Sequence, residues 1–135
     1  NSLGVGTPAS GTAGQIRASN NITAYYSSDK NLKENIVNID NPLDKIKQLN
    51  GVTFDWKQSY IDENGGEDDY FMRRHDIGVI AQEGESVIPE IVGTREDGTK
   101  AVKYDRIVAV LIEAMKEQQT TIDELQCEVN KLKDK

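Results

Sequence analysis

The chain has 135 residues, 16 Lys and Arg against 23 Asp and Glu, and a formal net charge of −7, which excludes a general nucleic-acid binder because counterion displacement needs a basic face. No apolar stretch approaches the roughly 18 to 20 residues of a bilayer span, and no charged-then-apolar leader announces secretion. The single Cys127 rules out an intrachain disulfide, and 36% hydrophobic with 6% aromatic residues allows one modest core, so a core shared between copies is expected.

Residues 1–27 contain one charged side chain, Arg17, so the acidic balance lies wholly downstream. Gly4, Gly6, Gly11 and Gly14 lead into Ile16, Ala18, Ile22, Ala24 and Tyr26 at mostly two-residue spacing, which predicts turns and short strands. A flexible linker has the same Gly and Ser content, but it has no need of apolar residues on one face of a pleat.

Ser27-Ser28-Asp29-Lys30-Asn31-Leu32-Lys33-Glu34-Asn35-Ile36 falls on the charge boundary. One reading is a helix cap followed by a solvated charged turn. The other is chemical: a serine hydroxyl becomes a nucleophile beside an unprotonated amine, and lysine is that base when desolvation lowers its pKa. Ser28 and Lys33 stand five apart, an offset that on a regular helix points the side chains in different directions, so the pair requires a bend or completion across subunits.

Asn41 as cap, Pro42 at the first helical position, Leu43, Ile46 and Leu49 on one face and Asn50-Gly51 as stop predict a short helix. Val52, Phe54 and Trp56 alternate with polar residues as a half-buried strand whose aromatics anchor a core. Residues 58–69 predict an exposed loop. It is a poor calcium site, because Asp62-Glu63-Asn64-Gly65-Gly66 puts glycine where a third ligand belongs, and no metal is expected. His75 has no Gly-x-Ser-x-Gly elbow to serve, so a surface or structural role is expected. Ile77 to Ala81 predict a buried strand, Glu83 to Ile88 a short helix stopped by Pro89, and residues 90–92 with 100–104 a hairpin around Asp97-Gly98.

Val108, Leu111, Met115, Gln118, Ile122, Leu125, Val129 and Leu132 alternate three- and four-residue steps as the a/d seam of a coiled coil, on a helix on the order of 45 Å long. Ile107, Ile112 and Ala114 widen the apolar face early, so the first turns should pack on the body and the rest project as a self-associating stem, with Cys127 on its outer face. Val108, Ile122 and Val129 at a with Leu111, Leu125 and Leu132 at d favour two strands by simple coiled-coil rules. Three are expected here, since Gln118 supplies a polar layer and globular contacts help set the count.

The Ser28 to Ile36 string, the Pro42 to Trp56 helix and strand, Gly78-Val79-Ile80-Ala81-Gln82-Glu83, Val87-Ile88-Pro89-Glu90 and the closing coiled coil together resemble the peptidase S74 family, the C-terminal intramolecular chaperones of phage endosialidase tailspikes and neck appendages. The similarity covers about residues 22–135. It implies an α+β fold: the end of an upstream β-helical stalk over 1–27, a small mixed body over 28–104 and a coiled-coil helix over 105–135 that forms a homotrimer. It implies a domain that templates the stalk of its own polypeptide and then cuts itself away, with Ser28 as nucleophile, Lys33 as general base, Asp29 as supporting residue and the cleaved bond among Ser27, Ser28 and Asp29. No cofactor, nucleic acid or membrane is implied; the setting is a viral structural precursor made in host cytoplasm, with this domain shed from the mature fibre. Gly84 departs from the family's more usual apolar residue and is expected to loosen its short helix. The competing expectation is a non-enzymatic trimeric assembly or receptor-binding tip, with Ser28 and Lys33 as surface residues.

Overall fold

The computed structural model describes residues 2–9, 11 and 14–135; positions 1, 10, 12 and 13 of the expected stalk end lie outside the described residues. The protein is a mixed α/β chain of short strands and helices ending in one long helix. It divides into two units, Asn1–Glu34 with Thr53–Gly78, and Asn35–Val52 with Val79–Lys135.

In the first unit β1 (Leu3–Val5) and β2 (Ile16–Ala18) pair in parallel, Leu3 opposite Ile16 and Val5 opposite Ala18. The alternation does not continue as a strand over Ile22 to Tyr26, where Tyr25 and Tyr26 stand 91% and 83% exposed. Alternation becomes a strand only when a second edge takes up the backbone N–H and C=O groups, and no described strand pairs with this stretch.

Strands β3 (Gly51–Asp55) and β4 (His75–Val79) form a two-stranded sheet that falls mostly in this unit. Val52 and Phe54 alternate with exposed neighbours as expected. Phe54 meets Trp56 edge-on at 5.0 Å between centroids, and Trp56 stacks on Tyr60 at 4.5 Å. Phe54 and Trp56 are only half-buried and Tyr60 is exposed, however, and the anchor is Ile61, 1% exposed. Ile61 lies on α2 (Gln58–Glu63), in the segment expected to be an exposed loop. Asn64-Gly65-Gly66 ends that helix: Gly65 and Gly66 take positive φ of 93° and 85°, the Gly65 N–H donates to the Asp62 carbonyl and the Gly66 N–H to the Ile61 carbonyl. This is a Schellman stop, so the glycines that spoil a calcium loop serve as a helix terminator. The buried strand expected over Ile77 to Ala81 is shifted to His75–Val79 with Ile77 exposed, because a two-stranded sheet leaves one face uncovered within the chain.

The second unit begins with α1 (Pro42–Lys47), which has Pro at its first position as expected. Asn41 stands at the N-cap position as expected, but its side chain makes no capping hydrogen bond. Its backbone is left-handed, and the Leu43 N–H is taken instead by the carboxylate of Glu117, 3.2 Å away on the terminal helix, a favourable charge at a helix N-terminus. Helix α3 (Ala81–Val87) starts two residues earlier than its spacing predicts. Gly84 is buried there, and a β-carbon on it would stand 3.2 Å from Ile91 Cδ1. The glycine therefore lets α3 close onto Ile91 and Val92 and does not simply loosen it. A 3-10 turn, Pro89–Ile91, leads into the hairpin β5 (Val92–Thr94) and β6 (Lys100–Val102), antiparallel with Val92 opposite Val102. At its tip Gly98 has φ 83° and the Asp97 carboxylate accepts the Thr99 N–H and hydroxyl, bonds that hold its pKa below the ordinary carboxylate value.

Helix α4 (Tyr104–Lys133) closes the chain. Ile88, Ile91 and Val110 form the core of this unit, with Ile39, Ile46, Leu49, Val87, Val92 and Ile107 packed on it, and Ala114 is also buried. The packed strip is thus Ile107, Val110 and Ala114. Ile112, expected to share it, is exposed, since at 3.6 residues per turn it falls off that stripe. Among the described residues no helix is long and apolar enough to cross a membrane.

Candidate active site

Ser28 and Lys33 meet. The Lys33 Nζ donates to the Ser28 Oγ at 2.7 Å, and the backbone between them shows how. Lys30–Leu32 make one 3-10 turn, entered and left by extended residues, Asp29 at φ −61°, ψ 129° and Lys33 at φ −125°, ψ 143°. The Asp29 carboxylate accepts the Asn31 N–H at 2.9 Å and its carbonyl accepts the Leu32 N–H, while the Lys33 N–H closes on the Lys30 carbonyl. Asp29 is thus the cap of the turn, a bond that fixes backbone geometry. The bend required by a five-residue offset is present within one chain.

Both side chains of the pair are exposed, as are Ser27 and the neighbouring Tyr26 and Leu32. General-base chemistry at this pair would need the amine shielded from water, and both side chains stand open to it.

Other candidates are arranged differently. The His75 ring Nδ1 lies 2.8 Å from Asp55 Oδ1, but among the described residues no serine joins them, and the pair is exposed. Asp76 beside it accepts the Ile77 N–H and the Trp56 indole N–H, which lower its pKa. Among the described residues no three acidic, His or Cys side chains converge as metal ligands, and Cys127 is exposed.

The apolar residues of the expected seam, Val108, Leu111, Met115, Ile122, Leu125, Val129 and Leu132, are 42% to 69% exposed, and Gln118 is exposed with them. From Met115 onward every residue of α4 is exposed. Sequence reasoning overlooked Val110, which lies one step from the seam residue Leu111, and Arg17, whose isolation in a neutral segment was the available signal.

Residues 28–93 match the model of the family described as chaperone of endosialidase. The chain is 34% identical over 111 residues to the long tail fiber protein Gp37 of Salmonella phage S16, which takes in 80% of this chain and 14% of that protein. It is 38% identical over 120 residues to Gp37 of Enterobacteria phage K3 and of Enterobacteria phage T2, in each case 84% of this chain and 9% or 8% of the relative. The chain therefore spans less than a sixth of the length of these curated relatives.

Proposed function

The chain belongs to the chaperone-of-endosialidase family, and from that premise we propose that it is a self-cleaving intramolecular chaperone of a phage fibre. Residues 1–27 are the end of the fibre's stalk, 28–104 the chaperone body and 105–135 the helix that gathers three copies. The observation that carries the reading is the 2.7 Å contact between the Ser28 hydroxyl and the Lys33 amine across a capped turn.

Lys33, once neutral, takes the Ser28 Oγ proton as that oxygen attacks the Ser27 carbonyl carbon. The Ser27–Ser28 C–N bond breaks, the proton passes from the lysine to the departing nitrogen, and the upstream chain remains as an ester on Oγ. Water then cleaves the ester, leaving a carboxylate on Ser27 and restoring the Ser28 hydroxyl. The neighbouring Ser28–Asp29 bond is a poorer target, because attack by Ser28 on its own carbonyl would close a badly strained ring.

Trimerisation has its own support in the stretch of α4 beyond Ala114, whose apolar seam residues Met115, Ile122, Leu125, Val129 and Leu132 are all exposed. An isolated helix of that length is marginal in water, so packing against copies stabilises it. Holding three chains in register raises their effective concentration for the slow, non-local pairing of a β-stalk. Once the template is cut away, the stalk persists because unfolding has a high barrier.

Denaturing electrophoresis of wild type beside Ser28→Ala and Lys33→Ala tests the reading, with a shorter product expected in wild type alone. Light scattering is expected to give three chains; a two-chain mass would contradict the trimer. The alternative, a non-enzymatic trimeric assembly or receptor-binding tip, draws on the open exposure of the pair, and equal migration of all three proteins would favour it.

A further inference from the structure

Arg17, the one charged side chain of residues 1–27, is turned inward. Its side chain is only 15% exposed: one guanidinium nitrogen donates to the Asn64 carbonyl at 3.0 Å, another lies 3.7 Å from the Asp68 carboxylate, and the group sits 4.8 Å above the centre of the Phe71 ring. Beside it the Gln15 amide donates to Asn64 Oδ1 at 2.6 Å, and the Tyr70 hydroxyl donates to the Ser19 carbonyl.

The receiving surface is set independently of Arg17. The Asp68 carboxylate accepts the N–H groups of Tyr70, Phe71 and Met72, and the buried Asn64 donates to the Tyr60 carbonyl. The contacts made by Arg17, Gln15 and Ser19 join residues upstream of Ser28 to residues downstream of it, while residues 21–27 are exposed and without regular structure. Cutting the chain beside Ser28 would leave every one of them intact.

We infer that residues 64–72 form a docking site for residues 15–19 of the same polypeptide, anchored by Arg17, and that this clasp retains the upstream product after cleavage. Cutting and release are then separate events. The inference rests on the proposed self-cleavage only for where the natural cut falls. Arginine suits the anchor because its planar fork meets a carbonyl and a carboxylate while its face stacks on an aromatic ring, which lysine cannot reproduce. The clasp is not maximally tight, since Gln15 Oε1 is buried without a hydrogen-bond partner among the described residues. In a trimer, three clasps acting together would hold far longer than one.

The test uses the full chain in two forms: wild type, and Ser28→Ala nicked by brief chymotrypsin treatment at the exposed Tyr25 and Tyr26. Native gel filtration with mass spectrometry then follows the upstream peptide. Co-elution is expected in both, with Arg17→Ala speeding loss about tenfold or more, and Arg17→Lys and Phe71→Leu falling between. If nicked Ser28→Ala sheds its peptide equally fast with and without Arg17, the clasp is wrong. If wild type stays whole while the nicked chain shows Arg17-dependent retention, the clasp stands and self-cleavage fails.

Discussion

A serine and a lysine five residues apart can touch only where the backbone doubles back, and Asp29 does that work here by accepting the Asn31 N–H. Losing such a cap costs about 1 kcal/mol, a factor of roughly five in the population of the turn. Asp29→Ala is therefore expected to slow the proposed cleavage about fivefold, and Asp29→Asn, which still caps, to restore most of the rate in gel time courses. Equal slowing by both would assign the carboxylate a part in the chemistry. Asp68 offers a second test at this scale. The Met72, Phe71 and Tyr70 N–H groups and the Arg17 charge hold its pKa below the ordinary carboxylate value. A depressed folded-state pKa stabilises above the ordinary value and is lost as pH falls through the depressed one. Amide exchange at residues 70–72 should therefore stay protected at neutral pH and quicken only in acid below the usual carboxylate range; protection unchanged there would mean the carboxylate does not order the loop. At Gly84 the gain in helix propensity from alanine, about 1 kcal/mol, opposes a close contact with the flexible end of Ile91. Gly84→Ala should shift thermal stability by no more than about 1 kcal/mol, and Gly84→Leu should lose roughly 1–3 kcal/mol by overpacking. Equal tolerance of both would contradict the packing of α3.

Helix α4 presents two faces that differ by one residue step: Ile107, Val110 and Ala114 face the core, whereas Val108, Leu111 and Met115 lie exposed. Val110→Ala is expected to destabilise the unit by roughly 1–3 kcal/mol without changing the mass of the assembly. Ile122→Ser with Leu125→Ser should leave the body folded but reduce the light-scattering mass to one chain and cut helicity in the distal half. An unchanged mass would remove the seam from the account. The same helix shows what sequence can and cannot convey. Its three-four spacing was legible because it repeats without a break. Val110 rather than Ile112 as the core residue was not, since apolar side chains at 107–112, 114 and 115 leave several faces open. Helix α2 was hidden by its acidic composition, although Asn64-Gly65-Gly66 could have been read as a stop. Glu117 as the partner of Leu43 was illegible because 74 residues separate them. The Ser28–Lys33 pair was legible in its requirement: the offset demanded a bend, and a bend is present.

For the whole molecule, the exposed Ser28–Lys33 pair and the exposed seam pose one physical problem for the proposal. Desolvation is what would let the amine act as a base, and burial of its apolar seam is what would stabilise the distal helix further. Association of copies would answer both, and under the proposal cleavage would then wait on assembly until the chains are in register. This chain corresponds to 8% to 14% of the long tail fiber proteins it resembles, so in the proposal most of what it would template lies upstream. The most direct test is intact-mass analysis, over time, of the assembled fraction of wild type and Lys33→Ala from freshly made protein. Self-cleavage predicts that wild type divides into an upstream peptide and a product beginning at Ser28, while Lys33→Ala assembles equally well and stays whole. A wild-type assembly that keeps its full-length mass indefinitely would contradict it.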